Sequence, residues 1–290
     1  MSEISIKTDG YCINKFIDRI RSKLGDKAAE QLKQTAVKVV QNCVEVYSQK
    51  FGSVDVGFTG TGIVSKPYKS QNKDEKIPYG TTGLIYGKVQ SGKTNTTIAT
   101  LALAQANQFR CFIVLTSDNT WLGKQTADRF ANQLKGGPVV FNWEQWRSDP
   151  EEFAQQLLDY INDTGVVLVS TKNVRHLDNL LRVLKSAKAR SVPTLIFDDE
   201  ADNASPNTNE AKQAKQVKKG EAQVKDSAIF EKIGNIREEV ANHIYLQITA
   251  TPQSLLLQSL GHPCSPVFCA ALPEPGESYS GSRCYAAQLI

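Results

Sequence analysis

Gly87-Lys88-Val89-Gln90-Ser91-Gly92-Lys93-Thr94 places two glycines, a lysine and a threonine at the spacing Gly-x4-Gly-Lys-Thr. Glycines at both ends let backbone N–H groups turn inward on an anion, and a following helix adds its partial positive charge. The expected ligand is the triphosphate of ATP, cradled by Gly87, Gln90, Ser91, Gly92, Lys93 and Thr94. Lys93 should reach the β- and γ-phosphates, and the Thr94 hydroxyl should bind Mg²⁺. Further along, Leu195-Ile196-Phe197 runs into Asp198, Asp199, Glu200 and Asp202. Carboxylates crowded at the end of an apolar strand repel one another unless a cation offsets them. Asp199 is the expected metal ligand and Glu200 the residue that polarises the attacking water. Together these motifs imply ATP hydrolysis.

Other residues stand at strand ends with less specific spacing. Ile248-Thr249-Ala250-Thr251-Pro252 puts two hydroxyls, Thr249 and Thr251, where they could couple a nucleotide site to another surface. Ser170, Thr171 and Lys172 close a second strand, and Lys124 follows a third.

Taken together, the motifs resemble a known family. Asp199-Glu200-Ala201-Asp202 matches the DEAD spelling of superfamily-two helicases, and Thr249-Ala250-Thr251 is similar to their Ser-Ala-Thr motif. Leu122-Gly123-Lys124-Gln125 is similar to their next motif, without its leading proline, and Ser170-Thr171 resembles a further nucleic-acid motif of the same lobe. The resemblance therefore makes Ser170, Thr171, Lys172 and Lys124 the candidates for touching a nucleic-acid backbone, whose phosphates would release counterions on binding. Residues 89–94, Asp198–Asp202 with Ala204-Ser205, Gln125-Thr126 with Arg129, and Thr249–Pro252 together look like the Z-one domain family. Leu272-Pro273, Pro275-Gly276 and Tyr279-Ser280-Gly281 extend the likeness, which covers roughly residues 80–281. That family comprises helicase-like ATPases often described as candidate endonucleases and associated with bacterial restriction and defence. The resemblance implies a RecA-like ATPase lobe of a nucleic-acid motor, with DNA as the first candidate polymer. It also implies a cytoplasmic setting and a defence-system protein as partner. Such motors use a second RecA-like lobe, which supplies the arginine finger. No second phosphate-site lobe follows Thr251, so that lobe is expected in cis in a longer protein or in trans on another chain, and hydrolysis by this chain alone should be slow. A nucleotide-gated protein-interaction module, without translocation, is the alternative reading.

The elements that must position these residues follow from periodicity. Strands are expected at 83–86, 110–116, 165–170, 194–198 and 243–249, and helices at 93–108, 120–135, 150–162, 173–188 and 227–241. Runs such as Val166–Val169 are apolar throughout, as in a parallel sheet covered on both faces. The expected class is α/β: a RecA-like P-loop NTPase with a mostly parallel, doubly wound sheet and ligands at the carboxyl ends of its strands. A small helical N-terminal region precedes it, with two helices between residues 11 and 51 and a loop or hairpin over 52–81. The expected organisation is 1–78 as helical region and linker, 79–260 as the ATPase lobe, and 261–290 as an extension or the start of a further domain.

Composition excludes several classes. With 40% apolar and 22% charged residues, the 290-residue chain is ordinary for a soluble protein. No apolar run is long enough to span a bilayer, and no signal peptide opens the chain. The six cysteines are scattered without a Cys-x-x-Cys pair, as expected of free thiols in the cytosol. His262, Cys264, Cys269 and Cys284 match no usual zinc spacing. A net charge of +4 is too mild to demand nucleic acid, although residues 211–225 carry five lysines and one glutamate. Asp202, Glu210 and Lys212 only faintly imitate a metal-nuclease triad.

Overall fold

The apolar runs become strands buried on both faces. In the computed structural model, which describes residues 4–52, 58–59, 62–63, 68, 77–88, 91–204, 221–256 and 262–272, the sequence pattern gives α1 (Tyr11–Leu24), α2 (Asp26–Phe51), β1 (Phe58–Thr59), β2 (Gly62–Ile63), β3 (Thr82–Tyr86) and α3 (Lys93–Ala106). These are followed by β4 (Cys111–Thr116), α4 (Thr120–Gln133), β5 (Val139–Asn142), α5 (Pro150–Asn162), β6 (Val166–Thr171) and α6 (Val174–Ser186). The remaining elements are β7 (Thr194–Asp199), α7 (Glu221–Glu239), β8 (His243–Thr249), the single-turn α8 (Gln253–Leu256) and β9 (Phe268–Ala271). Local chemistry starts the helices after the strands. Asn119 caps α4 by accepting from the Trp121 and Leu122 amides, Asp149 caps α5 just ahead of Pro150, and Asn173 caps α6 by accepting from the Arg175 amide.

Seven strands form one sheet in the order β5-β6-β4-β7-β8-β3-β9, every pairing parallel, while β1 and β2 make a small antiparallel hairpin. Because side chains alternate along a strand, each face of the sheet collects its own core. Phe112, Val114, Leu195, Phe197, Ile244, Leu246 and Ile248 join α1 to α4 on one side. Ile113, Leu115, Leu168, Ile196 and Tyr245 join α5, α6 and α7 on the other.

Two strands lie beyond the expected five. Both are four-residue edge strands: β5, beside β6, and β9, beside β3. Two boundaries expected from sequence do not follow the packing. A cut at residue 260 would sever β9 from its pairing with β3. A cut near residue 78 would separate α1 and α2 from the core they share with α3 and the sheet, in which Phe16, Val39, Val40 and Cys43 are completely buried. No helix among the described residues is long and apolar enough to cross a membrane.

Candidate active site

Three neighbouring strands end together and bring the motifs to one edge. Tyr86 at the end of β3 is in register with Thr249 at the end of β8, and Ile248 is in register with Asp199 at the end of β7. The strand that leads into Gly87 and the acidic strand are therefore two strand spacings apart, roughly 10 Å, with the threonine motif between them.

The described residues of the loop pack closely. Gly87 donates its amide to Thr249 O at 3.1 Å, and a Cβ on Gly87 would run into Ser91 Oγ and lie 2.9 Å from Leu272. Gly92 takes up φ +83°, a left-handed turn that suits glycine, and hands the chain to α3. Lys93 folds its Nζ over the loop, donating to Gly87 O at 3.0 Å and Lys88 O at 3.1 Å. Ser91 Oγ is buried without a partner among the described residues, an unsatisfied polar atom inside a cradle of backbone. Thr94 is half-buried in the first turn of α3. Gln90 and Val89 lie outside the described residues.

The four carboxylates separate by strand parity. Asp198 points to the α5–α6–α7 side, where it is buried, accepts from Lys172 Nζ at 3.0 Å and accepts a hydrogen bond from Tyr245 Oη. The Arg237 guanidinium lies 4.3 Å from the Tyr245 ring centre and donates to His243 Nε2 and Pro263 O. Asp199, one residue on, takes the opposite parity and faces the side that carries α3. Burial first and then the neighbouring Glu200 charge push its pKa up, with Lys172 opposing. Asp202 is held by the threonine motif: Thr249 Oγ1 donates to its Oδ1 at 2.6 Å and Thr251 Oγ1 to its Oδ2 at 2.5 Å. Glu200 is exposed and sits at φ +55°, a conformation uncommon for a residue with a side chain and concentrated at functional turns. Of the expected cluster, Asp198 is thus paired with a cation and Asp202 is hydrogen-bonded by two hydroxyls, while Asp199 still feels the Glu200 and Asp198 charges.

Mg²⁺ fits this arrangement. The ion is ordinarily held by one or two protein oxygens, substrate phosphates and water. Thr94 and Asp199 are the oxygens available, and a cation would offset the burial that disfavours the Asp199 carboxylate. Among the described residues no three His, Cys, Asp or Glu side chains gather as a self-sufficient metal site. Cys284, Glu210, Lys212 and residues 211–220 lie outside the described residues.

The expected nucleic-acid contacts do not form one surface. Ser170 and Thr171 are completely buried, Thr171 Oγ1 sharing a 2.7 Å hydrogen bond with His176 Nδ1. Lys172 is 5% exposed, and its ammonium is occupied by Asp198 Oδ1, Asp199 O and Glu200 O. All three continue the hydrogen-bonded interior of the sheet, so they offer no face to a polymer. Lys124 remains half-exposed and pairs with Glu144 at 3.0 Å. Beside it Trp121 is 66% exposed on the first turn of α4, an aromatic that no motif spacing marks. Tyr245, Arg237 and the Lys172–Asp198 pair were also missed. For Tyr245 and Asp198 the signal is a polar residue in an otherwise apolar strand; Arg237 on α7 and Lys172 just past β6 carry no such mark.

No family model and no curated protein matches this chain.

Proposed function

We propose that this chain binds and hydrolyses ATP with Mg²⁺, as the RecA-like lobe of a helicase-like nucleic-acid motor. The observation that carries the reading is the meeting of a glycine-bounded loop, a threonine pair and an outward-turned acidic residue at the carboxyl ends of three adjacent parallel strands. Lys93 and the loop amides bind the phosphates and set the γ-phosphate in line. Glu200 orients and deprotonates the attacking water, and Asp199 with Thr94 holds the metal. The metal, when bound, neutralises charge that develops on the phosphate oxygens. Asp202, clasped by Thr249 and Thr251, ties the acidic turn to β8 and so links the site to the threonine motif.

The nucleic-acid half of the reading rests on the motif resemblance and on Trp121, whose exposed ring could stack a base next to Lys124. Deoxyribonucleic acid is the first polymer to try. A second lobe, in cis or in trans, would supply the arginine finger, and a bacterial defence protein is the partner class the resemblance suggests. The alternative, a nucleotide-gated interaction module docking through the two N-terminal helices, loses weight because their apolar faces are buried within the chain.

Turnover of ATP by the wild type, Lys93→Ala and Glu200→Gln, with and without single- and double-stranded DNA and RNA, tests the proposal. The Lys93 variant should lose nucleotide binding. The Glu200 variant should keep binding while turnover falls by about 10²–10⁴-fold. A wild type that neither binds nor hydrolyses ATP would end this reading.

A further inference from the structure

Lys172 gathers three oxygens around one buried ammonium. Asp198 Oδ1 lies at 3.0 Å, Asp199 O at 2.6 Å and Glu200 O at 3.0 Å. The two carbonyls belong to the peptides on either side of the Glu200 Cα, so the ammonium grips the acidic turn by its backbone. Glu200 is also the residue at φ +55°, a conformation that persists only where its surroundings over-determine it. The ammonium is itself fixed. The backbone amide of Lys172 donates to Thr116 O at 2.9 Å, and the neighbouring Asn173 side chain donates to Asp118 at 3.1 Å and caps α6. Behind Asp198, Tyr245 Oη donates to the second carboxylate oxygen, and Arg237 packs over the Tyr245 ring.

We propose that Lys172 is a positioning residue, a buried strut that holds the Asp199 and Glu200 carbonyls and thereby sets the left-handed turn that aims the Glu200 carboxylate. Its consequence for turnover rests on the assignment of Glu200 made above; the strut itself does not. Asp198 serves as counter-ion to the strut, its pairing with Lys172 satisfied inside the sheet, and does not approach the nucleotide.

Removing Lys172 alone would strand the Asp198 charge in the interior and could unfold the protein. The informative comparison is therefore Lys172→Met/Asp198→Asn, which removes both charges, against Asp198→Asn alone, in which the buried lysine can shed its proton and keep its two carbonyl bonds as a neutral amine. Hydrogen exchange of the segment 198–204 and nucleotide binding and single-turnover hydrolysis are measured on all three proteins. The double variant should lose exchange protection in that segment but not in β4 or β6. It should bind ATP as the wild type does and turn it over about a hundredfold more slowly, the penalty of a catalytic group displaced by about 1 Å. Asp198→Asn should keep both protection and most of the rate. Unchanged protection in a folded double variant, or equal damage from Asp198→Asn alone, would overturn the strut. If the wild type and Lys93→Ala fail to differ in ATP turnover, the functional reading falls instead, and the exchange comparison still decides the role of Lys172.

Discussion

Asp199 occupies a position where ionisation is costly, because burial and the Glu200 charge both favour its protonated form. The unfolded chain therefore ionises at lower pH than the folded one. Stability contributed by this residue is fully present below the unfolded value of about 3.8 and is lost as pH rises through the raised folded value. Asp199→Asn should accordingly unfold at a higher temperature than the wild type at pH 7, a gain that disappears near pH 3.5, as a thermal scan at the two pH values would show. If Asp199 holds the metal as proposed, the same substitution should cut ATP turnover by about a hundredfold or more. Stability gained and activity lost by one change is the pattern of a functional group held in an unfavourable place. Much of this residue-scale picture was legible beforehand: the identity of the acidic cluster needs only an apolar run followed by carboxylates. Which aspartate faces the loop was not, because it depends on which side of the sheet α3 packs.

At the scale of elements, the first two helices carry more of the fold than their place at the chain's start suggests. Their helical spacing was readable from Phe16, Ile17 and Ile20 and from Val39, Val40 and Cys43. Periodicity shows that a helix has an apolar face but not which element covers it, so the two could be read as a separate region. In the structure Phe16 is completely buried in the core that α1 and α2 share with α3. Phe16→Ala should cost about 3–5 kcal/mol, read as a lower urea midpoint at unchanged slope. Because α3 begins at Lys93, removing residues 1–51 should weaken nucleotide binding as well as the fold. The strands missed from sequence, β5 and β9, fail for a different reason. Each is four residues long and only partly buried, and a short edge strand presents too few alternations to be separated from a loop.

For the whole molecule, the most distinctive charge property lies in its three histidines. His176, His243 and His262 all have pKa values lowered, burial being the largest cause in each and Arg237 contributing at His243 and His262. A lowered folded pKa means the unfolded state takes up the proton first, so stability present above about 6.5 is lost as pH falls below it. Completely buried His243 should impose a slope of about 1.4 kcal/mol per pH unit from there downward, with smaller additions from the two partly exposed rings. Denaturant titrations between pH 7.5 and pH 5 on the wild type and on His243→Gln, where the slope should flatten, would measure it. The strand order has a kinetic consequence of another sort. β3 has only β8 and β9 as neighbours, Thr82 lying opposite Tyr245 and Gly83 opposite Phe268, and β7 and β8 fill the gap between β3 and β4. The strand that leads into the proposed phosphate loop leaves the ribosome early and has no partner until nearly all the sheet has been synthesised. Closing such distant pairings is slow, so the nucleotide cradle should be among the last parts of this protein to mature, and a nascent chain halted before β8 should not yet bind ATP.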